Sequence, residues 1–163
     1  MLLCKGMEAS AEKKCFHVAL RLLANRDHSC AELARKLEQR KFARHLVKHA
    51  LDECLRLNYL DDERFCQSYL RQLRRKGYGP HQIQQRLRSK GISDALIQDV
   101  LYRTYPESAQ IEDCRRVMNK KLSSPTFASR SGPLNDRLYR FLLGRGFHPD
   151  VIRQSLDASP TDR

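Results

Sequence analysis

The chain lacks tryptophan and has few of the residues that form tight turns in β proteins. Its 163 residues include only seven Gly and six Pro, too few turn formers for a fold of many short strands. Apolar residues make up 40% of the chain, and they recur at the spacing of amphipathic helices. The composition therefore predicts an all-α protein.

Long hydrophobic runs are also missing. No apolar stretch approaches the ~20 residues that a membrane-spanning helix needs. Lys5, Glu8 and Glu12 interrupt the N-terminus where a signal peptide would be apolar, and only three residues precede Cys4, too few for a lipoprotein export segment. We therefore expect a cytoplasmic protein with no membrane partner.

The six cysteines are too widely spaced to form a metal knuckle or a redox pair. They are never closer than eleven positions apart, so no Cys-x-x-Cys motif exists and reduced thiols are expected. His45 and His49 can share a helix face, but Cys54 falls about half a turn away around that helix. No metal site is predicted.

Motifs of known catalytic sites are absent as well. There is no Gly-rich phosphate loop, no His-Glu-x-x-His and no Gly-x-Ser-x-Gly. The neighbouring carboxylates of Asp61 and Asp62 point in different directions at a helix start, where capping explains them without Mg²⁺. Cys15, Cys66 and Cys114 lie in amphipathic helices, and we interpret them as small buried hydrophobic residues. The sequence predicts a protein that is not an enzyme and has no cofactor.

One helical unit is repeated three times along the chain. Segments around Leu37, Leu87 and Leu142 superimpose without gaps at offsets of 50 and 55 residues. The other aligned apolar sets are Phe42, Ile92 and Phe147; Leu46, Leu96 and Val151; Val47, Ile97 and Ile152; and Leu51, Leu101 and Leu156. With one helix upstream of each pair, the units have three helices each, over 11–58, 59–106 and 107–158. Stacking stabilises small units, so we expect an elongated, curved monomer.

Local signals predict where helices begin and end. Ser29 to Glu32 form a capping-box pattern, and Asp61 to Glu63 place negative charge at a helix start. Gly77 is a natural left-handed helix stop, and Pro80 suits the first position of the next helix.

Three segments depart from the repeat. Lys41 occupies the place of Gly91 and Gly146, so the first unit is expected to end its second helix with different geometry, because a non-Gly residue resists the left-handed conformation. The polar stretch 123–133 predicts a mobile loop. The ends, 1–10 and 159–163, are expected to be flexible.

Positive charge exceeds negative charge, with 31 Lys and Arg against 19 Asp and Glu and a formal net charge of +12. Two stretches concentrate it. The first has no acidic residue and contains Arg71, Arg74, Arg75, Lys76, Arg86, Arg88 and Lys90. The second contains Arg115, Arg116, Lys120, Lys121, Arg130, Arg137, Arg140 and Arg145 against Asp136 alone.

Clustered cations bind nucleic acid by releasing condensed counterions. We therefore predict an anionic partner, nucleic acid or a nucleoprotein surface, and the alternative is a solvated basic face. The candidate binding residues are the seven of the first stretch together with Arg137, Arg140 and Arg145.

Short motifs occur in a fixed order across the three units. Tyr-Leu-Asp-Asp-Glu-Arg-Phe at 59–65 is followed by Arg-Lys-Gly-Tyr-Gly-Pro at 75–80 and Leu-x-x-Lys-Gly-Ile at 87–92. Leu-Leu-x-x-Arg-x-x-Ser-x-x-Glu-Leu-x-x-Lys-Leu at 22–37 precedes them, and Phe-Leu-x-x-Arg-Gly-Phe at 141–147 follows. In this order, over about residues 15 to 156, they resemble the RecX family of bacterial regulatory proteins.

The resemblance implies a cytoplasmic modulator of the RecA recombinase built from three tandem three-helix units. Members of that family bind RecA filaments on single-stranded DNA, lie in the filament groove, and inhibit the ATPase, strand-exchange and coprotease activities of RecA. The implied partners are the RecA filament and single-stranded DNA, with duplex DNA bound without sequence preference.

Two other functions stay open. A repressor-like DNA-binding protein would act without RecA, since three-helix units resemble helix-turn-helix modules. A scaffold would bind a protein partner with little dependence on salt.

Overall fold

The computed structural model describes residues 2–128 and 133–157, with side chains from residue 10 onward except those of 126 and 128. Residues 129–132 of the predicted loop and the whole predicted end at 159–163 lie outside this part. Within it the regular elements are all helices: α1 (Leu2–Asn25), α2 (Cys30–Gln39), α3 (Arg44–Arg56), α4 (Asp62–Arg75), α5 (Pro80–Ser89), α6 (Asp94–Thr104), α7 (Glu107–Leu122), α8 (Pro125–Ala128), α9 (Leu134–Gly144) and α10 (Pro149–Asp157). The all-α prediction is confirmed. None of these helices is both long and apolar enough to cross a membrane.

The helices follow the repeat seen in the sequence. Three consecutive segments contain α1 to α3, α4 to α6, and α7 with α9 and α10. The short α8 lies inside the stretch 123–133 that was expected to be a loop. The repeat-aligned Leu37, Leu87 and Leu142 are all fully buried. The apolar pattern therefore identified the core-facing positions.

Contacts divide the chain into two compact units. The N-terminal unit comprises the residues up to 66 together with 89–93, and the C-terminal unit comprises 67–88 and the residues from 94 onward. The core of the N-terminal unit is built from α1, α2 and α3, with Leu33 and Leu37 at its centre. The core of the C-terminal unit includes Leu142, Phe147 and Ile152.

Buried cysteines contribute to both cores. Cys15, Cys66 and Cys114 have no exposed surface, and burial raises the pKa of each thiol, to about 11 for Cys66. A thiol with such a pKa stays protonated at neutral pH and is a poor nucleophile. Their interpretation as small core residues is confirmed.

The end of α2 differs from what the sequence predicted. Lys41 has a φ of 67°, in the same left-handed region as Gly91 at 80° and Gly146 at 87°. The expectation of different geometry at Lys41 is wrong. The first repeat keeps the backbone conformation of the others and places a residue with a Cβ in it.

Hydrogen bonds explain why Lys41 adopts this conformation. Its N–H donates to the carbonyl of Glu38 at 2.8 Å, and the N–H of Phe42 donates to the carbonyl of Leu37 at 3.4 Å. The end of α9 repeats this pattern, with bonds from Gly146 to Leu143 and from Phe147 to Leu142. Satisfying two terminal carbonyls and packing the next apolar residue outweigh a left-handed cost of about 1–2 kcal/mol.

Helix caps occupy the predicted positions. The hydroxyl of Ser29 accepts a hydrogen bond from the N–H of Glu32 at 3.1 Å, at the start of α2. The carboxylate of Asp61 accepts one from the N–H of Arg64 at 2.9 Å, at the start of α4. Both side chains satisfy amides that have no partner inside their helices.

Asp62 stabilises a different helix from the one that it begins. Its carboxylate accepts a hydrogen bond at 2.8 Å from the N–H of Cys30, the first residue of α2. Burial and this neighbouring carboxylate raise the pKa of the Cys30 thiol to about 12. Asp62 therefore ties the start of α4 to the start of α2 within the N-terminal unit.

Two turns cross closely in the C-terminal unit. The N–H of Gly79 donates to the carbonyl of Arg145 at 2.8 Å, and the N–H of His81 donates to the carbonyl of Gly146 at 3.0 Å. A Cβ at Gly79 would lie 2.5 Å from the backbone of Gly146, so the crossing requires glycine there. It holds the start of α5 against the end of α9 and so positions Arg145.

Candidate functional site

A cleft in the C-terminal unit is lined mainly by basic side chains. Its volume is about 220 Å³. The lining residues are Arg75, Lys76 and Gly77 at the end of α4, Arg116, Val117, Lys120 and Lys121 on α7, and Phe141 and Arg145 at the end of α9. Six of them are basic and none is acidic. We call this feature the basic cleft.

Helix spacing and helix ends place these side chains. Arg116 and Lys120 are four residues apart on α7 and therefore lie on one face. Arg75 is the last residue of α4, because the chain leaves the helix at the left-handed Gly77. Arg145 follows α9 directly and is held by the crossing of the two turns. Three separate helices thus direct cations into one cleft.

Most cations of the basic cleft lie outside the ion pairs of the described residues. In the part of the chain that the structure describes, five of them take part in no ion pair: Arg75, Lys76, Lys120, Lys121 and Arg145. Arg116 differs, because its Nη2 lies 2.8 Å from Oδ1 of Asp113. Their uncompensated charge makes the cleft attractive to anions.

Aromatic rings hold two of these cations without neutralising them. The ammonium of Lys121 lies 4.9 Å from the ring centre of Phe127 and 5.0 Å from that of Phe141. The guanidinium of Arg145 lies 5.2 Å from the ring centre of Phe141 and 5.5 Å from that of Tyr78. Such cation–π contacts attract the charge electrostatically and limit its motion.

Arg74, one of the predicted binding residues, is bound inside the C-terminal unit. Its Nε donates to Oδ2 of Asp113 at 2.7 Å, and its guanidinium lies 4.3 Å from the ring centre of Tyr105. Burial alone would raise the pKa of Asp113, but hydrogen bonds from Arg116 and Arg74 outweigh it and lower the pKa. The charge of Arg74 is therefore compensated by an ionised carboxylate.

The structure distributes the ten predicted binding residues among different environments. Arg75, Lys76 and Arg145 line the basic cleft, whereas Arg71 and Arg140 are exposed outside it. The others contact internal groups: Arg74 binds Asp113, Arg86 stacks on Tyr78 at 4.1 Å, Arg88 pairs with Asp94, Lys90 pairs with Glu32, and Arg137 donates to the carbonyl of Phe127 at 2.8 Å.

Lys90 belongs to an ionic cluster in the N-terminal unit. The carboxylate of Glu32 accepts two hydrogen bonds from Arg26, at 2.8 and 3.0 Å, and one from Lys90 at 2.8 Å. The hydroxyl of Ser29 donates to the carbonyl of Lys90. Hydrogen bonds from Arg26 and then Lys90 outweigh burial and lower the pKa of Glu32 to about 2.

Three lining residues were absent from the predicted set. Arg116, Lys120 and Lys121 belong to the second basic stretch, but the sequence did not distinguish them from its other cations. The available signal was the four-residue spacing of Arg116 and Lys120 on one helix. Their proximity to Arg75 and Lys76 arises only from packing.

Known proteins resemble this chain over most of its length. Models of the first and the second three-helix domain of RecX match residues 15–54 and 61–101. A protein named regulatory protein RecX from Legionella pneumophila (strain Corby) is 42% identical, covering 85% of this chain and 90% of the relative. The chain belongs to the RecX family. A RecX relative from Trichlorobacter lovleyi is 32% identical, covering 86% of this chain and 92% of its own.

Solved RecX structures share the fold. A crystal structure of regulatory protein RecX superimposes with a TM-score of 0.83 and 21% identity, covering 95% of this chain and 76% of the other. RecX from Lactobacillus salivarius gives a TM-score of 0.81 and 22% identity, covering 91% and 96%. The fold of tandem three-helix units and the resemblance to RecX are both confirmed.

Proposed function

We propose that this chain regulates the RecA recombinase by binding RecA nucleoprotein filaments on single-stranded DNA. The observation that carries the proposal is the basic cleft, where five cations from three segments come together and form no ion pair within the described part of the chain. Membership of the RecX family supports a regulatory role. The cleft supplies a surface for backbone phosphates or for acidic side chains of the filament.

Binding would inhibit RecA by restricting movement within the filament. A protein that bridges neighbouring RecA protomers stabilises one arrangement of them and slows every step that needs another arrangement. Inhibition of ATP hydrolysis, strand exchange and coprotease activity then follows from one binding event. No catalytic group of this chain is required.

The contact residues that we propose are those of the basic cleft whose charge is uncompensated. Among the predicted residues these are Arg75, Lys76 and Arg145, and α7 adds Lys120 and Lys121. Arg71 is exposed and lines another cavity together with Arg75, and Arg140 is exposed on α9. Arg74, Arg86, Arg88, Lys90 and Arg137 act mainly by holding the fold through their internal contacts.

A titration of RecA tests this function. The ATPase of RecA from the same source would be measured with single-stranded DNA in excess, at fixed salt, with increasing amounts of this protein. We expect inhibition well below one molecule per RecA. No inhibition at equimolar protein, together with measurable DNA binding, would reject RecA regulation and favour a DNA-binding protein that acts alone.

Charge reversals in the same assay test the site. Arg75→Glu and Lys120→Glu should each raise the concentration needed for half inhibition by at least about tenfold, because each replaces an attraction with a repulsion. Arg115→Glu is the matched control, since Arg115 is exposed on α7 outside the basic cleft. An equal loss in the control would show that net charge alone matters. Arg74→Glu is unsuitable, because it would place a carboxylate against Asp113.

A further inference from the structure

The basic cleft holds more positive charge than a DNA strand would compensate. Its volume, about 220 Å³, is that of a cube about 6 Å on a side. A DNA strand carries about one negative charge per 3.4 Å of helix axis, or about two over such a length. Five of the cations that line this space form no ion pair with any residue that the structure describes. A more compact and more highly charged anion would match them better.

We infer that the basic cleft binds a linear di- or triphosphate group, carried by a free nucleotide or by inorganic polyphosphate. Each inner phosphate of such a chain has one charge, and the terminal phosphate has nearly two at neutral pH. Arginine and lysine donors form charge-assisted hydrogen bonds with phosphate oxygens. A triphosphate therefore carries more charge over a given length than a DNA strand does.

The dimensions of the cleft favour the phosphate chain over a whole nucleotide. Pockets for drug-sized ligands measure about 300–1,000 Å³, and this cleft is smaller. A nucleoside attached to the chain would lie at the mouth. Val117 and Phe141 are the apolar residues of the lining.

Two of the cations are positioned before any ligand binds. Lys121 is held between the rings of Phe127 and Phe141, and Arg145 donates from Nη1 to the carbonyl of Lys76 at 3.3 Å. Such preorganisation lowers the entropy lost on binding.

Because the lining has no carboxylate, the cleft offers no side-chain ligand for Mg²⁺. A metal-free polyphosphate should therefore bind more tightly than its Mg²⁺ complex.

The inference rests on the proposed function in one respect, since it concerns regulation of the same site. A bound polyphosphate occupies cations that would otherwise contact the filament, so the two ligands compete. Polyphosphate binding itself requires neither RecA nor DNA. It can therefore be measured independently of the proposed function.

Calorimetric titration of the full chain at fixed ionic strength is the direct test. The probes are inorganic tripolyphosphate, ATP and AMP, each with and without Mg²⁺, in the absence of RecA and DNA. Tripolyphosphate and ATP should bind at least about tenfold more tightly than AMP. Equal affinities for tripolyphosphate and ATP would assign recognition to the phosphate chain alone, and tighter ATP binding would add a contact with the nucleoside.

Variants complete the test. Arg75→Gln and Lys120→Gln should each weaken tripolyphosphate binding at least about fivefold, and Arg115→Gln should change it less than twofold. Equal weakening by Arg115→Gln, or equal binding of AMP, would overturn the inference. Failure of tripolyphosphate to bind at millimolar concentration, while RecA inhibition persists, would overturn it and leave the proposed function intact. Tripolyphosphate binding without any inhibition of RecA would support the inference and reject the proposed function.

Discussion

Lys41 illustrates how a single residue can keep a helix ending that glycine usually supplies. Its φ of 67° matches the corresponding glycines of the other two repeats, although the left-handed conformation costs a residue with a Cβ about 1–2 kcal/mol. The carbonyls at the end of α2 are satisfied only if the chain turns in this way. The local conformation is thus imposed by hydrogen bonding and packing.

Relief of this strain should stabilise the protein. Lys41→Gly should raise the free energy of unfolding by about 1 kcal/mol, which is the left-handed cost less the greater unfolded-state entropy of glycine. Lys41→Ala keeps the Cβ, so it should change the free energy of unfolding by only about 0.3 kcal/mol. Urea unfolding followed by circular dichroism measures both. A glycine variant no more stable than the alanine variant would contradict the assignment of strain.

Asp62 is expected to be structural, because its carboxylate bonds the N–H of Cys30. Asp62→Ala should lower the free energy of unfolding by roughly 1–2 kcal/mol, since that amide loses its partner. Cys30 should also react faster with an alkylating reagent, because the carboxylate raises the pKa of the thiol. Asp52→Ala, at an exposed position on α3, is the control. A fully stable Asp62→Ala variant that no longer inhibits RecA would instead assign Asp62 to binding.

At the scale of elements, one carboxylate joins the start of α2 to two other segments of the N-terminal unit. Glu32 binds Arg26, just after α1, and Lys90, just after α5. The capping-box pattern predicted the hydrogen bond from the N–H of Glu32 to the hydroxyl of Ser29. The Glu32 carboxylate itself accepts hydrogen bonds from these two cations. The role of the Glu32 side chain in the capping-box motif is therefore decided by Arg26 and Lys90, which lie outside the motif.

The ionic cluster around Glu32 makes the free energy of unfolding depend on pH. The pKa of Glu32 is lowered from 4.5 to about 2 on folding, so the stabilisation is complete above about pH 4.5 and is lost as the pH falls toward 2. Glu32→Gln should cost roughly 2 kcal/mol at pH 7. Urea midpoints should show this difference shrinking between about pH 5 and 2, whereas the exposed Glu38→Gln control should show little difference. A difference that is constant with pH would refute the ionic role.

At the scale of the whole molecule, the net charge of +12 predicts attraction to any polyanion. Net charge alone does not distinguish a diffuse basic surface from a site. Ion pairs involve only some of the Lys and Arg side chains that the structure describes, so the lack of an ion pair does not by itself mark a site. The basic cleft differs from the rest of the basic surface because six cations from three segments line one cavity without an acidic side chain.

Salt dependence measures how many of these cations contact DNA. If the basic cleft engages two phosphates of the strand, the affinity for single-stranded DNA should fall with a log–log slope of about −1.4 against salt concentration. Arg75→Gln should reduce the magnitude of that slope by about 0.7. Fluorescence anisotropy over a range of salt concentrations provides the measurement. A flat dependence would favour a scaffold that binds protein without phosphate contacts.

The spacing of apolar residues in the sequence was enough to predict most of the helices and their buried faces. Ile83 and Leu87 are fully buried, as their four-residue spacing on one helix predicts, and α5 begins at Pro80. These features depend on neighbours within one or two helical turns, and such neighbours are adjacent in the sequence. The same reasoning failed at Lys41, because residue preference there is weaker than the hydrogen bonds of the helix end.

Only tertiary packing decided which cations are available for binding. Arg74 meets Asp113 from 39 positions away, Lys90 meets Glu32 from 58, and Arg145 reaches the carbonyl of Lys76 from 69. The sequence determined that the chain is helical, repeated and basic, because those properties are local or additive. Pairing of charges depends on distances of a few ångströms between separate helices, and these distances exist only once the helices have packed.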